Sequence, residues 1–311
     1  MNNRRSDRSI KEWMGVFSEL YSKPDLERTP EQIWIAIMAH SSSIGESIRR
    51  SAFQELLDYA GHTFCWLCSF VNKCNEVNDD IFSCTESLCG MVSLKYPLKC
   101  GHCMRDYCQC LAKGVDATRD KSVHYERLFE LRKKCLKSVE EDYSIASWKE
   151  TFRDIYGDRV HIQTLETIGF HFLEEVGEGA VAVRSLSQLR KIAAQGIIGV
   201  DANFMNGLTA VDGIVAKYKT CYKPGPIDYT SRDPDILKWR IVDAKIRMVI
   251  EIGDTFSWFC AMMNKLEDIL EASRFILPSL EDKLNEEYFD DDGNPRCPIC
   301  KHKPCECVFF P

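Results

Sequence analysis

The sequence has no apolar run approaching the roughly 20 residues needed to span a bilayer, so no membrane association is expected. Its first residues, Met1 to Arg8, are polar and basic without a hydrophobic core, which predicts that they are not a secretory signal. Positive charge is not in excess: 40 Lys and Arg stand against 47 Asp and Glu, for a formal net charge of -7. A dedicated nucleic-acid surface normally needs a basic face, so none is expected. A small anionic ligand held through metal ions is still allowed. Strand-like alternation is scarce, and its best candidate is a short stretch near Gly196 to Val200. Cysteine, by contrast, is plentiful, with sixteen in 311 residues. Without a secretory signal, these thiols predict a reducing, cytoplasmic setting and use as metal ligands rather than disulfides.

A repeat runs through the chain. Residues 9–22, SIKEWMGVFSELYS, match residues 144–157, SIASWKETFRDIYG, with Trp13/Trp148, Phe17/Phe152 and Tyr21/Tyr156 in register. His62 to Lys73 matches Asp254 to Lys265. Cys100, Cys103, Cys108 and Cys110 have the spacing C-x2-C-x4-C-x-C, and Cys297, Cys300, Cys305 and Cys307 repeat it. Three blocks recurring in one order mean an internal duplication. The offset between copies is 135 at Ser9/Ser144, 132 at Gly45/Gly177, 192 at Thr63/Thr255 and 197 at Cys100/Cys297. The jump from 132 to 192 marks an insertion at about 185–245. The expected organisation is a polar tail (1–8), a first module with its cysteine cluster (9–112), a helical connector (113–143) and a second module with the insertion and the second cluster (144–311).

Helical spacing dominates. Trp13, Val16, Phe17 and Leu20 follow i, i+3, i+4, i+7. Thr29-Pro30 and Asp233-Pro234 read as helix starts, the second opening a helix that should run to about Leu270. Lys223-Pro224-Gly225-Pro226 must break any helix. The expected fold class is all-α, a helical bundle with two small metal-bound appendages.

Two acid pairs stand out. Glu175 and Glu178, beside Glu174, are three apart and share a helix face; Glu251 and Asp254 are spaced the same way. Facing helices would bring four carboxylates together, which like-charge repulsion opposes unless cations are bound. Oxygen ligands suit Mg²⁺ or Mn²⁺, and Mg²⁺ commonly binds beside substrate phosphates. Such pairs are common on solvated faces. Here, however, Phe170, Phe172 and Leu173 precede the first pair and Met248, Val249, Ile250, Phe256 and Trp258 surround the second. A charge in that context needs a partner.

Glu-Glu-x-x-Glu followed on a later helix by Glu-x-x-Asp resembles the signature of the all-α nucleoside triphosphate pyrophosphohydrolases, the superfamily of MazG and the dimeric dUTPases. The resemblance covers about 160–190 and 245–270, and more weakly 33–73. It implies tandem MazG-like helical modules forming a pseudo-dimer, and hydrolysis of an NTP or dNTP to the monophosphate plus pyrophosphate. It also implies a catalytic Mg²⁺ (or Mn²⁺) held by Glu175, Glu178, Glu251 and Asp254, with Glu174 at the edge and no one acid singled out as general base. Asn264 falls where the family often has a polar active-site residue, so it either contacts phosphate or packs helices. Lys265 beside it is a further substrate-binding candidate. Arg247 shares the Glu251 face and either holds a phosphate or pairs with Glu251. The insertion departs from the simple family pattern.

At the four acid positions the first copy has Ser43, Glu46, Tyr59 and His62, with Asp58 one position out of register. Its site is read as lost and the module as a pseudo-catalytic partner. Trp66/Trp258 persists although the acids do not, which predicts a packing role for it. Either the fused pair completes the bundle, or two chains form a homodimer. Two other readings carry over: a nucleotide-binding sensor or adaptor without turnover, and a zinc-stabilised interaction scaffold.

Four thiolates within eleven residues suit tetrahedral Zn²⁺ in a closed, structural site. An iron–sulfur cluster and redox disulfides stay open as alternatives. Tyr96-Pro97-Leu98-Lys99 resembles the lead-in to cysteine clusters that follow some MazG-like domains. His102 and His302 are expected at the surface, and most of the other cysteines as small buried residues.

Overall fold

A computed structural model of the chain describes residues 8–76, 81–110, 121–194, 202–221, 233–274 and 276–307. The strand candidate at Gly196 to Val200 and the Lys223 to Pro226 turn lie outside these residues. The described residues form helices and no strand: α1 (Ile10–Glu27), α2 (Pro30–Arg49), α3 (Phe53–Glu76), α4 (Leu88–Lys95), α5 (Lys121–Asp142), α6 (Ile145–His161), α7 (Leu165–Ala194), α8 (Ala202–Asn206), α9 (Val211–Cys221), α10 (Pro234–Ser273) and α11 (Leu280–Tyr288). None of them is long and apolar enough to cross a membrane.

The helix starts follow local chemistry. Ser9 caps α1 and Thr29 caps α2, each in a reciprocal box with the third helical residue, Glu12 or Gln32. Asp233 accepts from the Asp235 and Ile236 amides, with Pro234 at the first helical position of α10. That helix runs 40 residues, a little past Leu270. Its central turns bury residues all round, as a helix enclosed by neighbours must.

The frame is two helix pairs, α2 with α3 and α7 with α10, joined where α2 lies along α7. The joint depends on glycine. Gly179 of α7 sits under the Trp34 ring of α2, and a Cβ there would overlap the indole. The Trp34 Nε1–H donates to the Val176 carbonyl at 3.2 Å. Truncating a tryptophan buried this way typically costs about 3–5 kcal/mol. The connector helix α5 is fixed by Arg132, which is fully buried and donates to Glu86 (2.6 Å), Asp212 (2.8 Å) and the Gly90 carbonyl of α4 (3.1 Å).

Residues related by the sequence repeat make matching contacts. Ser9 and Ser144 bridge each other, and the Ile10 amide donates to the Tyr143 carbonyl at 2.9 Å. The Asn72 amide donates to the Met14 carbonyl at 2.9 Å, as that of Asn264 does to Lys149 at 2.8 Å. The cysteine clusters are exchanged between copies. The Cys108 amide donates to the Ile155 carbonyl of α6 (2.9 Å), and the Cys305 amide to the Leu20 carbonyl of α1 (2.7 Å). Each cluster therefore rests on the opening helix of the other copy, at the same turn.

Candidate functional site

The carboxylates of the second copy meet where α7 faces α10. Glu175, Glu251 and Asp254 offer oxygens that lie within 4.8 Å of one another. Asp254 is buried and the two glutamates are half-buried. The Glu175 and Glu251 carboxyl groups hydrogen-bond to each other, and the second oxygen of Glu251, Oε2, is buried without a partner. Burial first, then the negative charge of Asp254, pushes Glu175 up to about 8 and Glu251 up to about 7. Glu175 and Glu251 therefore keep protons near neutral pH until a cation replaces them. Glu178, one turn along α7, is exposed and stands outside this tight group, although its charge is felt by both glutamates. Glu174 is exposed and pairs with His171 at 3.2 Å.

Two residues of the first copy complete the site. The Lys95 ammonium contacts Asp254 Oδ2, and the buried Tyr96 hydroxyl donates to Asp254 Oδ1 at 2.6 Å. Both stand at the end of α4, which approaches α10 at Gly253, where a Cβ would stand 3.6 Å from the Val92 Cα. The Tyr96 ring meets Phe152 edge-on at 5.3 Å. Burial raises the Tyr96 hydroxyl well above its ordinary range, so it stays a donor to the carboxylate.

The first copy carries a counterpart with its charges exchanged. His62, at the position of Asp254, faces Glu287 at 4.0 Å. Tyr288 meets Phe17 edge-on at 5.0 Å, as Tyr96 meets Phe152. Burial, opposed by Asp58 and reinforced by Lys283, lowers the His62 imidazole below its usual range. Glu46 is exposed and paired with Arg49, and Asp58 is paired with Lys283 at 2.8 Å. The acid group of the second copy is not reproduced there.

The remaining candidates scatter. Arg247 pairs with Asp243 at 2.9 Å rather than with Glu251, because Glu251 turns inward among the carboxylates. The Lys265 ammonium donates to the His161 carbonyl at 3.1 Å, a tie that Lys73 repeats by donating to Asp25. Asn264 spends its amide on Lys149 and also faces a cavity of about 510 Å³ that opens onto Glu175 and Asp254. Trp258 packs half-buried against the core, and it also lines that cavity and stacks on His171 at 4.6 Å. Lys95, Tyr96 and the cavity residue Gln163 were not legible as site residues in the sequence.

The two cysteine clusters are assembled. Within each, the four sulfurs lie within 4.8 Å of one another, with Cys100–Cys110 at 3.7 Å, Cys297–Cys307 at 3.8 Å and Cys300–Cys305 at 3.9 Å. Four sulfurs about 2.3 Å from a tetrahedral Zn²⁺ stand about 3.8 Å apart, so both clusters could bind zinc. None of the sixteen cysteines is joined in a disulfide. Burial opposes ionisation of Cys300, but amide donors led by Glu306 outweigh it and hold the thiol at about 6. Exposed His302 turns to Glu306 at 2.9 Å, while exposed His102 faces the cavity. No protein-family model, no curated protein and no solved structure matches the chain.

Proposed function

We propose that the chain is a Mg²⁺-dependent nucleoside triphosphate pyrophosphohydrolase that splits an NTP or dNTP into the monophosphate and pyrophosphate. The observation that carries this reading is the convergence of Glu175, Glu251 and Asp254, of which Glu175 and Asp254 line the cavity, with the orphaned Glu251 Oε2 among them. An all-oxygen donor set fits Mg²⁺ or Mn²⁺. Glu178, one turn along α7, would be the fourth acid of the set. A bound Mg²⁺ supplies an activated water and neutralises charge on the phosphates. The chain's own groups do the rest. Tyr96 holds the Asp254 carboxylate in place, and the Lys95 ammonium beside it would supply positive charge for the phosphate chain.

In this reading the two modules form a MazG-like pseudo-dimer. The second supplies the acids, while the first has lost them and supplies Lys95 and Tyr96. The cysteine clusters hold structural Zn²⁺. The test is pyrophosphate release from a panel of nucleoside triphosphates with Mg²⁺, using zinc-loaded wild type, Glu175→Gln and Glu46→Gln. Release is expected from the wild type and Glu46→Gln and absent from Glu175→Gln. A wild type that releases pyrophosphate from no nucleotide would overturn the reading.

A further inference from the structure

The three carboxylates of the second copy receive a positive charge from the first. The Lys95 ammonium contacts Asp254 Oδ2, and the Tyr96 hydroxyl takes Oδ1 at 2.6 Å. Both oxygens of the most buried acid are thus engaged from the end of α4. Lys95 acts beyond that pair, because its charge opposes the rise of both Glu175 and Glu251. It does not satisfy the whole group: Glu251 Oε2 keeps no hydrogen-bond partner. Comparison of the copies separates the two residues. Tyr288 meets Phe17 edge-on as Tyr96 meets Phe152, whereas Glu287 stands at the position of Lys95. The tyrosine is kept with or without the acids. The ammonium occurs only with them.

Charge decides what that ammonium does. A divalent cation joining the group would use the same oxygens and meet Lys95 as a like charge at close range. An ammonium seated on Asp254 therefore competes with it. Lys95 also lines the cavity of about 510 Å³ together with Glu175 and Asp254, so a polyanion there comes within reach of its charge. We propose that Lys95 makes metal and substrate bind together: its ammonium contests Asp254 with the cation and gives way when the phosphate chain of a triphosphate offers it a new partner. The cation alone is then held weakly, and the cation with a triphosphate strongly. By linkage, each raises the affinity of the site for the other. The triphosphate arm rests on the pyrophosphohydrolase reading, whereas the competition between ammonium and cation stands without it. The first copy, which has lost its own acids, thereby sets the metal affinity of the second.

The experiment compares zinc-loaded wild type, Lys95→Met and Lys95→Arg. Mn²⁺ binding without nucleotide is read from the loss of the free-ion electron paramagnetic resonance signal. Binding of α,β-methylene analogues of a purine and a pyrimidine triphosphate is read by calorimetry at saturating Mg²⁺. Lys95→Met should tighten Mn²⁺ binding roughly tenfold and weaken the analogues by a similar factor. Lys95→Arg, which keeps the charge, should stay close to wild type in both. Mn²⁺ binding unchanged or weaker in Lys95→Met, or analogues bound equally by wild type and Lys95→Met, would overturn the proposal and leave the pyrophosphohydrolase reading standing. Tighter Mn²⁺ binding in Lys95→Met, with no analogue bound by the wild type, would overturn that reading and the link to a triphosphate with it. Should Lys95→Met fail to fold, amine labelling of the wild type decides. Saturating Mn²⁺ should speed acetylation of Lys95 relative to exposed Lys23, followed by mass spectrometry, and an unchanged ratio would overturn the competition.

Discussion

The Lys95 ammonium rests on the Asp254 carboxylate across 159 residues of chain, from the last turn of α4 in one copy to the middle of α10 in the other. The Asp254 side chain is 5% exposed and that of Lys95 20%. Removing one partner of such a pair leaves an uncompensated charge, typically a loss of about 3–5 kcal/mol. Lys95→Ala should therefore lower the unfolding free energy by about 3 kcal/mol in zinc-loaded protein without Mg²⁺. Added Mg²⁺ should restore much of this by taking the place of the ammonium. The double variant Lys95→Ala/Asp254→Asn should be more stable than Lys95→Ala alone. Denaturant titrations of all four proteins close the cycle, and strict additivity would show that the two groups are uncoupled.

The raised carboxyls predict the direction of the pH dependence. Glu175 rises to about 8 and Glu251 to about 7, whereas both would titrate near 4.3 in the unfolded chain. Between roughly pH 4.5 and 8 the folded protein thus holds protons that the unfolded chain has released. Stability contributed by these groups is present at the acid end and falls as pH rises through that window, then levels off. Thermal melts of Mg²⁺-free protein should show this decline, and Glu175→Gln should flatten it. With Mg²⁺ bound the protons are displaced, so the decline should shrink and proton release should accompany binding near pH 7. A transition temperature that rises with pH across the window in Mg²⁺-free wild type would contradict this account of the site.

Much of the architecture was legible because it depends on spacing. The i, i+3 acids, the paired cysteine patterns and the helix starts at Thr29 and Asp233 follow from local geometry, and the structure builds the helices and both four-sulfur groups. Lys95 and Tyr96 were hidden by a change of register. Tyr96 stands four residues before Cys100, whereas Tyr288 stands nine before Cys297, so the offset of 192 becomes 197 within that segment and masks the match of Lys95 with Glu287. Which group a surface cation selects was equally unreadable. Arg247 has acids at i-4 and i+4, and tertiary packing turned Glu251 away and left Asp243.

The exchange of clusters makes their roles unequal. The first begins four residues after Tyr96, donates the Gly101 amide to the Tyr156 hydroxyl at 3.2 Å and sends His102 to the cavity. It therefore holds Lys95, Tyr96 and one cavity wall against α6. The second rests on α1, on the side away from the carboxylate group. Cys103→Ser and Cys300→Ser should each reduce bound zinc from two ions per chain toward one, measured by metal analysis, and each should lower the transition temperature. Their effects on the site should differ. Cys103→Ser should weaken Mg²⁺ binding and pyrophosphate release by about tenfold or more, the scale seen when groups that orient metal ligands are lost. Cys300→Ser, assayed below its own transition, should change them far less. Equal losses in the two variants would mean that the clusters act only through global stability and that the first does not position Lys95 and Tyr96.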